Sequence, residues 1–221
     1  MPNIRLTTKK YYFTVEGETE KWYFEHVQRL INSTEQTSCK VDFSIHIQRN
    51  PCAFVRNIPI ISKTKITHII DVEGSSESHI HTFKQNLDNM KNAMKLGKTV
   101  HYQLGYSNIS FELWILLHKC YTTRSCDSIH QYLPLLNKAY GLSCESLDKF
   151  KSKKIFTDVL GMISLDDINC AIRHADKLQS YNEDNHRDAQ EKYKSFQFYK
   201  TNPSLSLHET VKAILKDCSL V

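Results

Sequence analysis

Residues 9–27 read KKYYFTVEGETEKWYFEHV. The apolar run Tyr11, Tyr12, Phe13 and Val15 reads as a buried strand. It ends in Glu16, Glu18 and Glu20, with Gly17 between the first two. Carboxylates repel one another, and gathering them is unfavourable without a positive partner. From Glu18 onward the spacing turns helical, with Trp22/Tyr23, Val27 and Leu30/Ile31 on one face. A strand running directly into a helix is half of a βαβ unit, and sheets built from such units are mostly parallel.

The same alternation continues to residue 122. KVDFSIHI (40–47) alternates with period two, KITHIID (65–71) is a short apolar run, and TVHYQLGYS (99–107) reads as a further strand. Ile80, Phe83, Leu87, Met90 and Met94 step at helical spacing until Gly97, which reads as a stop. ISFELWILLHKC (109–120) reads as a strongly apolar helix. Pro51 and Pro59 limit NPCAFVRNIPIISKTK (50–65) to a short, broken helix. Beyond residue 122 strand signals fade and helical ones remain. SIHQYLPLLNKAY is helical with an interruption at Pro134, and Ser164/Asp167 and Ser206/Glu209 sit at capping-box spacing before two further helices. The expected organisation is an α/β domain over 1–122, Rossmann-like with a mostly parallel sheet flanked by helices, and a helical C-terminal extension over 123–221 packed on it.

The chain has 221 residues, 40% hydrophobic and 24% charged, enough for a substantial core and against global disorder. A net charge of +5 is compatible with a polyanionic partner without demonstrating one. Seven scattered cysteines with no CxxC pair argue against a zinc site. With no secretory leader ahead of the first strand, the expected setting is a reducing cytoplasm. No apolar run is long enough to span a membrane.

A second acidic pair, Asp71 and Glu73, follows the third strand in HIIDVEG. In extended chain, residues i and i+2 point the same way, so both carboxylates are expected to face one ion. If the first and third strands are neighbours, Glu16, Glu20, Asp71 and Glu73 meet at one sheet edge. Hard oxygen donors of this kind suit Mg²⁺ or Mn²⁺. The competing reading makes Glu16 and Glu20 helix-start residues favoured by the dipole and Asp71 the start of a turn. Two acidic pairs after two strands, each beside a glycine, favour the metal. Glu18 is expected to point elsewhere into solvent.

VEGETEKWYFEHV, HIIDVEG and GYSNISFELWILLHK together resemble the RloB family of Toprim-like proteins, and AIRHADKL with NPSLSLHETVKAIL is similar to that family's helical portion. The resemblance implies a Toprim domain working through Mg²⁺, as in nucleases of the OLD type. It implies Glu16 as acid/base or first metal ligand, Asp71 and Glu73 as metal holders, and Glu20 and Glu112 as supports for a second ion. Glu73 stands where Asp is usual, and Ile109-Ser110 where a proline-containing loop is expected. RloB-like proteins are regarded as phage-defence effectors, often encoded beside an ATPase. The function expected is thus a nuclease acting on DNA or on RNA such as tRNA, with a possible homo-oligomer. The alternative is a catalytically silent module that docks the partner ATPase.

DKFKSKK (148–154) offers Lys149, Lys151, Lys153 and Lys154 for phosphate contacts, with Asn108 nearer the acidic edge. The same lysines also fit a solvated loop. Arg49, Arg56, Lys63 and Lys65 flank the second and third strands and are expected to frame that edge. His118 reads as a core histidine, and YNEDNHRD (181–188) as a polar loop. A topoisomerase lacks support without a second domain carrying a positioned tyrosine, as does a primase without template-binding modules. The absence of GxGxxG and GxxxxGK[ST] argues against nucleotide binding through a glycine-rich loop.

Overall fold

The computed structural model describes residues 6–59 and 62–221, so part of the 50–65 segment lies outside the described residues. The first half runs β1 (Thr8–Val15), α1 (Glu18–Ser33), β2 (Lys40–Ile47), α2 (Pro51–Asn57), β3 (Thr64–Asp71), α3 (Glu77–Ala93), β4 (Val100–Asn108) and α4 (Glu112–Leu117). The second half runs α5 (Tyr132–Tyr140), α6 (Leu147–Phe150), α7 (Lys153–Gly161), α8 (Leu165–Asn185), β5 (Gln190–Tyr193), β6 (Phe196–Tyr199), β7 (Ser204–Leu205) and α9 (Leu207–Asp217).

Five strands form the main sheet in the order β2-β1-β3-β4-β7. The first four are parallel and β7 is antiparallel to β4. This is the α/β class expected from the sequence, with helices on both faces. Alternation sorts the two cores. Phe13, Val15 and Ile69 face a layer containing Tyr23, Trp114, Ile168 and Leu207, while Ile66, Ile70 and Tyr102 face Phe83 and Leu87 of α3. A strand covered on both faces carries apolar residues in both registers, which is why KITHIID lacks a polar face. The first core draws on both halves of the chain.

Local signals explain several helix starts. Asn50 caps α2 with Pro51 in the first position, Ser76 caps α3, and Ser164 with Asp167 completes a capping box on α8. Ser206 does not cap α9. Its hydroxyl accepts from the Tyr106 N–H at 3.2 Å and donates to the Leu104 carbonyl at 3.3 Å, docking α9 onto β4. Gly105 permits that approach, because a Cβ there would stand 2.7 Å from Ile69 Cδ1 and 3.6 Å from Leu207 Cα. Pro134 does not interrupt α5, since it lies in the first turn where no intrahelical N–H is needed.

The second half is mainly helical but contains strands the sequence reading missed. β5 and β6 form an antiparallel hairpin, and β7 joins the main sheet. The stretch 181–188, expected as a polar loop, is the end of α8 to Asn185 and, after His186, a single 3-10 turn over Arg187–Ala189. Among the described residues, no helix is long and apolar enough to cross a membrane. All seven cysteines are free, with the buried Cys39 and Cys218 thiols 3.2 Å apart.

Candidate functional site

In the order β2-β1-β3-β4, the chain leaves β1 in one direction to β2 and crosses back to β3 on its other side. In parallel sheets, the crevice outside the strand ends at such a reversal is the usual ligand site. β1 delivers Glu16 there and β3 delivers Asp71. The two are tied together, for the Asp71 N–H donates to Glu16 Oε2 at 3.2 Å. A cavity of about 600 Å³ opens at this point, lined by Glu16, Glu20, Asp71 and Glu73 together with Arg49 and Lys151.

Gly17 precedes α1 in extended backbone, so no special φ demands a glycine. A Cβ there would sit 3.2 Å from Glu20 Oε2, close enough to make that carboxylate shift by a few tenths of an ångström. That oxygen also accepts the Thr19 hydroxyl at 3.0 Å, fixing a carboxylate that is almost fully buried. Glu112 opens α4 and is likewise buried. Its Oε1 meets Lys151 Nζ at 2.8 Å while its Oε2 has no partner. The link into α4 includes a cis peptide bond at Asn108–Ile109.

The electrostatics are those of a crowded acidic cluster. Burial pushes the Asp71 carboxyl well above the usual range, and the charges of Glu20, Glu112 and Glu16 push it further, against a smaller pull from the Phe111 N–H. Glu16 is raised by burial, with the Asp71 N–H and Arg49 opposing and Glu20 and Glu73 adding to the rise. Glu20 is raised by burial against hydrogen bonds from its own N–H and Thr19, with Glu112 raising it and Lys151 lowering it. Burial disfavours the Lys151 ammonium, but Glu112, Asp71 and Glu20 outweigh it and its pKa rises.

Glu73 reaches the cavity by a route other than the expected one. It is exposed and adopts φ +64°, the left-handed region, so the i, i+2 argument from an extended chain does not apply. Gly74 follows at φ +136°, and the turn leaves Glu73 on the rim. Glu18 is exposed at the mouth, paired with Lys21 at 3.9 Å. Asn108 is not brought to the surface: it is fully buried and donates to the carbonyls of Tyr199 and Lys200 at 3.2 and 3.1 Å, which ties β4 to the hairpin. Lys149, Lys153 and Lys154 are exposed, and only Lys151 of that run lines the cavity. Arg49 frames the acidic edge, but Lys63 and Lys65 line a separate cavity at the amino ends of the strands, and Arg56 lines neither. His118 is a core residue, its Nδ1 on the Trp114 carbonyl at 2.8 Å and its Nε2 on the Tyr23 hydroxyl at 3.1 Å.

His79, Asp127 and Ser128 also line the cavity, and the sequence reading missed them. His79 follows the Ser76 cap, a signal that marks a helix start near the third strand and so points towards the edge. Asp127 and Ser128 come from a loop of the second half, where no local pattern indicates a return to the site.

The donor set is chemically suited to a hard divalent cation. Among the described residues, however, no three His, Cys, Asp or Glu side chains stand in a ready-made metal-holding group. Glu112 is instead engaged by an ammonium.

Fold and site together define an α/β protein with a partly buried carboxylate cluster at the reversal point of a parallel sheet. The family model described as RloB-like protein matches residues 11–214, nearly the whole chain. The chain belongs to the RloB-like family. Comparisons with curated proteins and with solved structures found no match.

Proposed function

We propose that this chain is a Toprim-type, metal-dependent nuclease that hydrolyses phosphodiester bonds in DNA or in RNA such as tRNA. The observation that carries the reading is the clustering of Glu16, Glu20, Asp71 and Glu112, whose carboxyls are crowded, among the described residues, beside Lys151 and Arg49 as cations. Such crowding is unfavourable to folding, and a cation of higher charge relieves it. Glu16, Glu20, Asp71 and Glu73 would hold Mg²⁺ or Mn²⁺, with Glu112 available to a second ion. When bound, the ion supplies Lewis-acid activation of water and neutralises charge at the scissile phosphate. Glu16 is held through Oε2 by the Asp71 N–H, which leaves Oε1 either to the metal or to the proton of the attacking water. Arg49 at the rim, with the exposed Lys149, Lys153 and Lys154, supplies phosphate contacts.

The setting proposed is cytoplasmic, consistent with seven free thiols. A role as a phage-defence effector beside a partner ATPase, with activity in a homo-oligomer, is part of the same proposal and rests on the family. A second reading, a silent module that docks the ATPase, is favoured by one observation: among the described residues no three ligands are already converged.

Labelled DNA and tRNA pools incubated with Mg²⁺ or Mn²⁺ test the proposal against Glu16→Gln and Asp71→Asn. Cleavage by the wild type that both variants lose supports the nuclease and names its substrate. Cutting that persists in both variants sinks it. If nothing cuts and metal still raises the melting temperature, the silent module stands instead.

Gly17→Ala gives a finer test. The backbone accepts alanine, so the melting temperature should stay within a degree or two, a shift expected of a change below about 0.5 kcal/mol. The added methyl displaces the Glu20 carboxylate by a few tenths of an ångström, and metal-dependent cleavage should fall several-fold. Unchanged cleavage would remove Glu20 from the ligand set.

A further inference from the structure

Lys151 differs from every other lysine of its run. Lys149, Lys153 and Lys154 are exposed, whereas the Lys151 ammonium reaches inward to a carboxylate that is only 2% exposed. Its backbone is fixed. Phe150 beside it is fully buried against Phe156, the Lys151 N–H donates to the Leu147 carbonyl at 2.8 Å, and Ser152 Oγ donates to the Lys149 carbonyl at 2.7 Å. The turn after α6 thus holds one positive charge over the acidic cluster from outside the βαβ framework. Glu112 receives it on Oε1 while Oε2 stays buried and unpartnered, so the cluster is only partly neutralised.

From this geometry we infer that Lys151 is a tethered counter-ion that occupies the cation's place at Glu112 and is displaced when a divalent ion enters. The inference rests on the proposed metal site and adds its regulation. A dication that reaches Glu112 meets a positive charge already bound there, and two like charges at this range are strongly unfavourable. The ammonium therefore sets a threshold for metal entry. Among the described residues it leaves Glu112 turned to the lysine and away from any ready-made ligand group.

Two measurements without nucleic acid test this. The first is Mn²⁺ binding, followed by the loss of the free-ion electron paramagnetic resonance signal, for wild type, Lys151→Met, Lys151→Gln, Lys151→Arg and Asp71→Asn. Removing the charge in the Met and Gln variants should tighten Mn²⁺ binding on the order of tenfold, while Arg stays near wild type. Asp71→Asn should lose binding. Equal or weaker binding in both uncharged variants overturns the counter-ion, and loss in Asp71→Asn would then still leave the metal site standing. No binding by any protein overturns both. The second uses wild type alone and does not depend on a variant folding. An amine-reactive reagent, read by peptide mass spectrometry, should label Lys151 several-fold more with Mn²⁺ than without, relative to Lys149. Labelling of Lys151 that Mn²⁺ leaves unchanged or lowers overturns the displacement.

Discussion

Asp71→Asn is expected to make the metal-free protein more stable at pH 8 by about 1–2 kcal/mol while abolishing metal-dependent cleavage. The Asp71 carboxyl lies at the centre of the cluster, raised first by burial and then by Glu20, Glu112 and Glu16. A carboxyl whose pKa is raised by folding binds its proton more tightly in the folded state. Its favourable contribution is complete below the unfolded pKa and is lost as pH rises through the folded one. At pH 8 the ionised group therefore opposes folding, and asparagine removes that charge at nearly constant shape. The Asn side-chain oxygen can still accept from Phe111. Chemical denaturation in EDTA checks the sign, and the gap between variant and wild type should narrow as pH falls towards 4.5. Excess Mg²⁺ should reverse the order, because binding to the folded state stabilises only the protein that retains its ligands. An Asp71→Asn protein that is less stable than wild type at pH 8 in EDTA would show that the cluster is not strained, and would take away the physical case for the cation.

The acidic cluster was legible in the sequence because its members follow strand ends, and parallel order brings strand ends to one edge. Tyr11–Val15 and Ile66–Asp71 announce their strands through apolar runs, whereas the adjacency of β1 and β3 is a condition of the sequence reading that only the sheet order β2-β1-β3-β4 supplies. What escaped depends on backbone exceptions or on distant partners. Glu73 was assigned a direction from extended geometry, but it sits at positive φ. The β5–β6 hairpin turns through Lys194, a non-glycine residue at φ +55°, so no Asn-Gly or Asp-Gly signal marked it. Ser206 carries the spacing of a capping box, yet its hydroxyl is taken by β4 across a sequence separation that no local pattern encodes. Asn108 is polar and close to the edge in sequence, but the hairpin carbonyls that bury it belong to residues 199 and 200. Lys151 could be seen as one of four lysines, and only the fold shows which of them faces Glu112.

The second large effect is expected at mildly acidic pH, where the metal-free protein should lose several kcal/mol of stability between pH 7 and 4.5. His68, His118 and His208 are buried, and burial lowers each to about 4 from the ordinary 6.5. The hydrogen bond with Thr14 at His68, the Trp114 carbonyl at His118 and the charge of Asp176 at His208 oppose the shift without cancelling it. The unfolded chain takes up protons below pH 6.5 that the folded chain refuses, so stability present above that pH is lost as pH falls towards 4. Each histidine contributes roughly 3 kcal/mol across the window, since one pKa unit corresponds to about 1.4 kcal/mol. Glu16, Glu20 and Asp71 act in the opposite direction, gaining protons on the folded side over the same range. His26 and His46 are also lowered and add to the loss. His118 isolates the effect, because its Nδ1 faces the Trp114 carbonyl and its Nε2 faces the Tyr23 hydroxyl, a pairing that suits one neutral tautomer. His118→Gln should be less stable at pH 7 through lost packing. The slope of its unfolding free energy near pH 5 should nevertheless fall by about 1.4 kcal/mol per pH unit. A variant slope equal to that of wild type would mean that His118 is protonated in the fold. Bound metal should steepen the wild-type slope, because coordinated carboxylates no longer gain protons as the histidines lose ground.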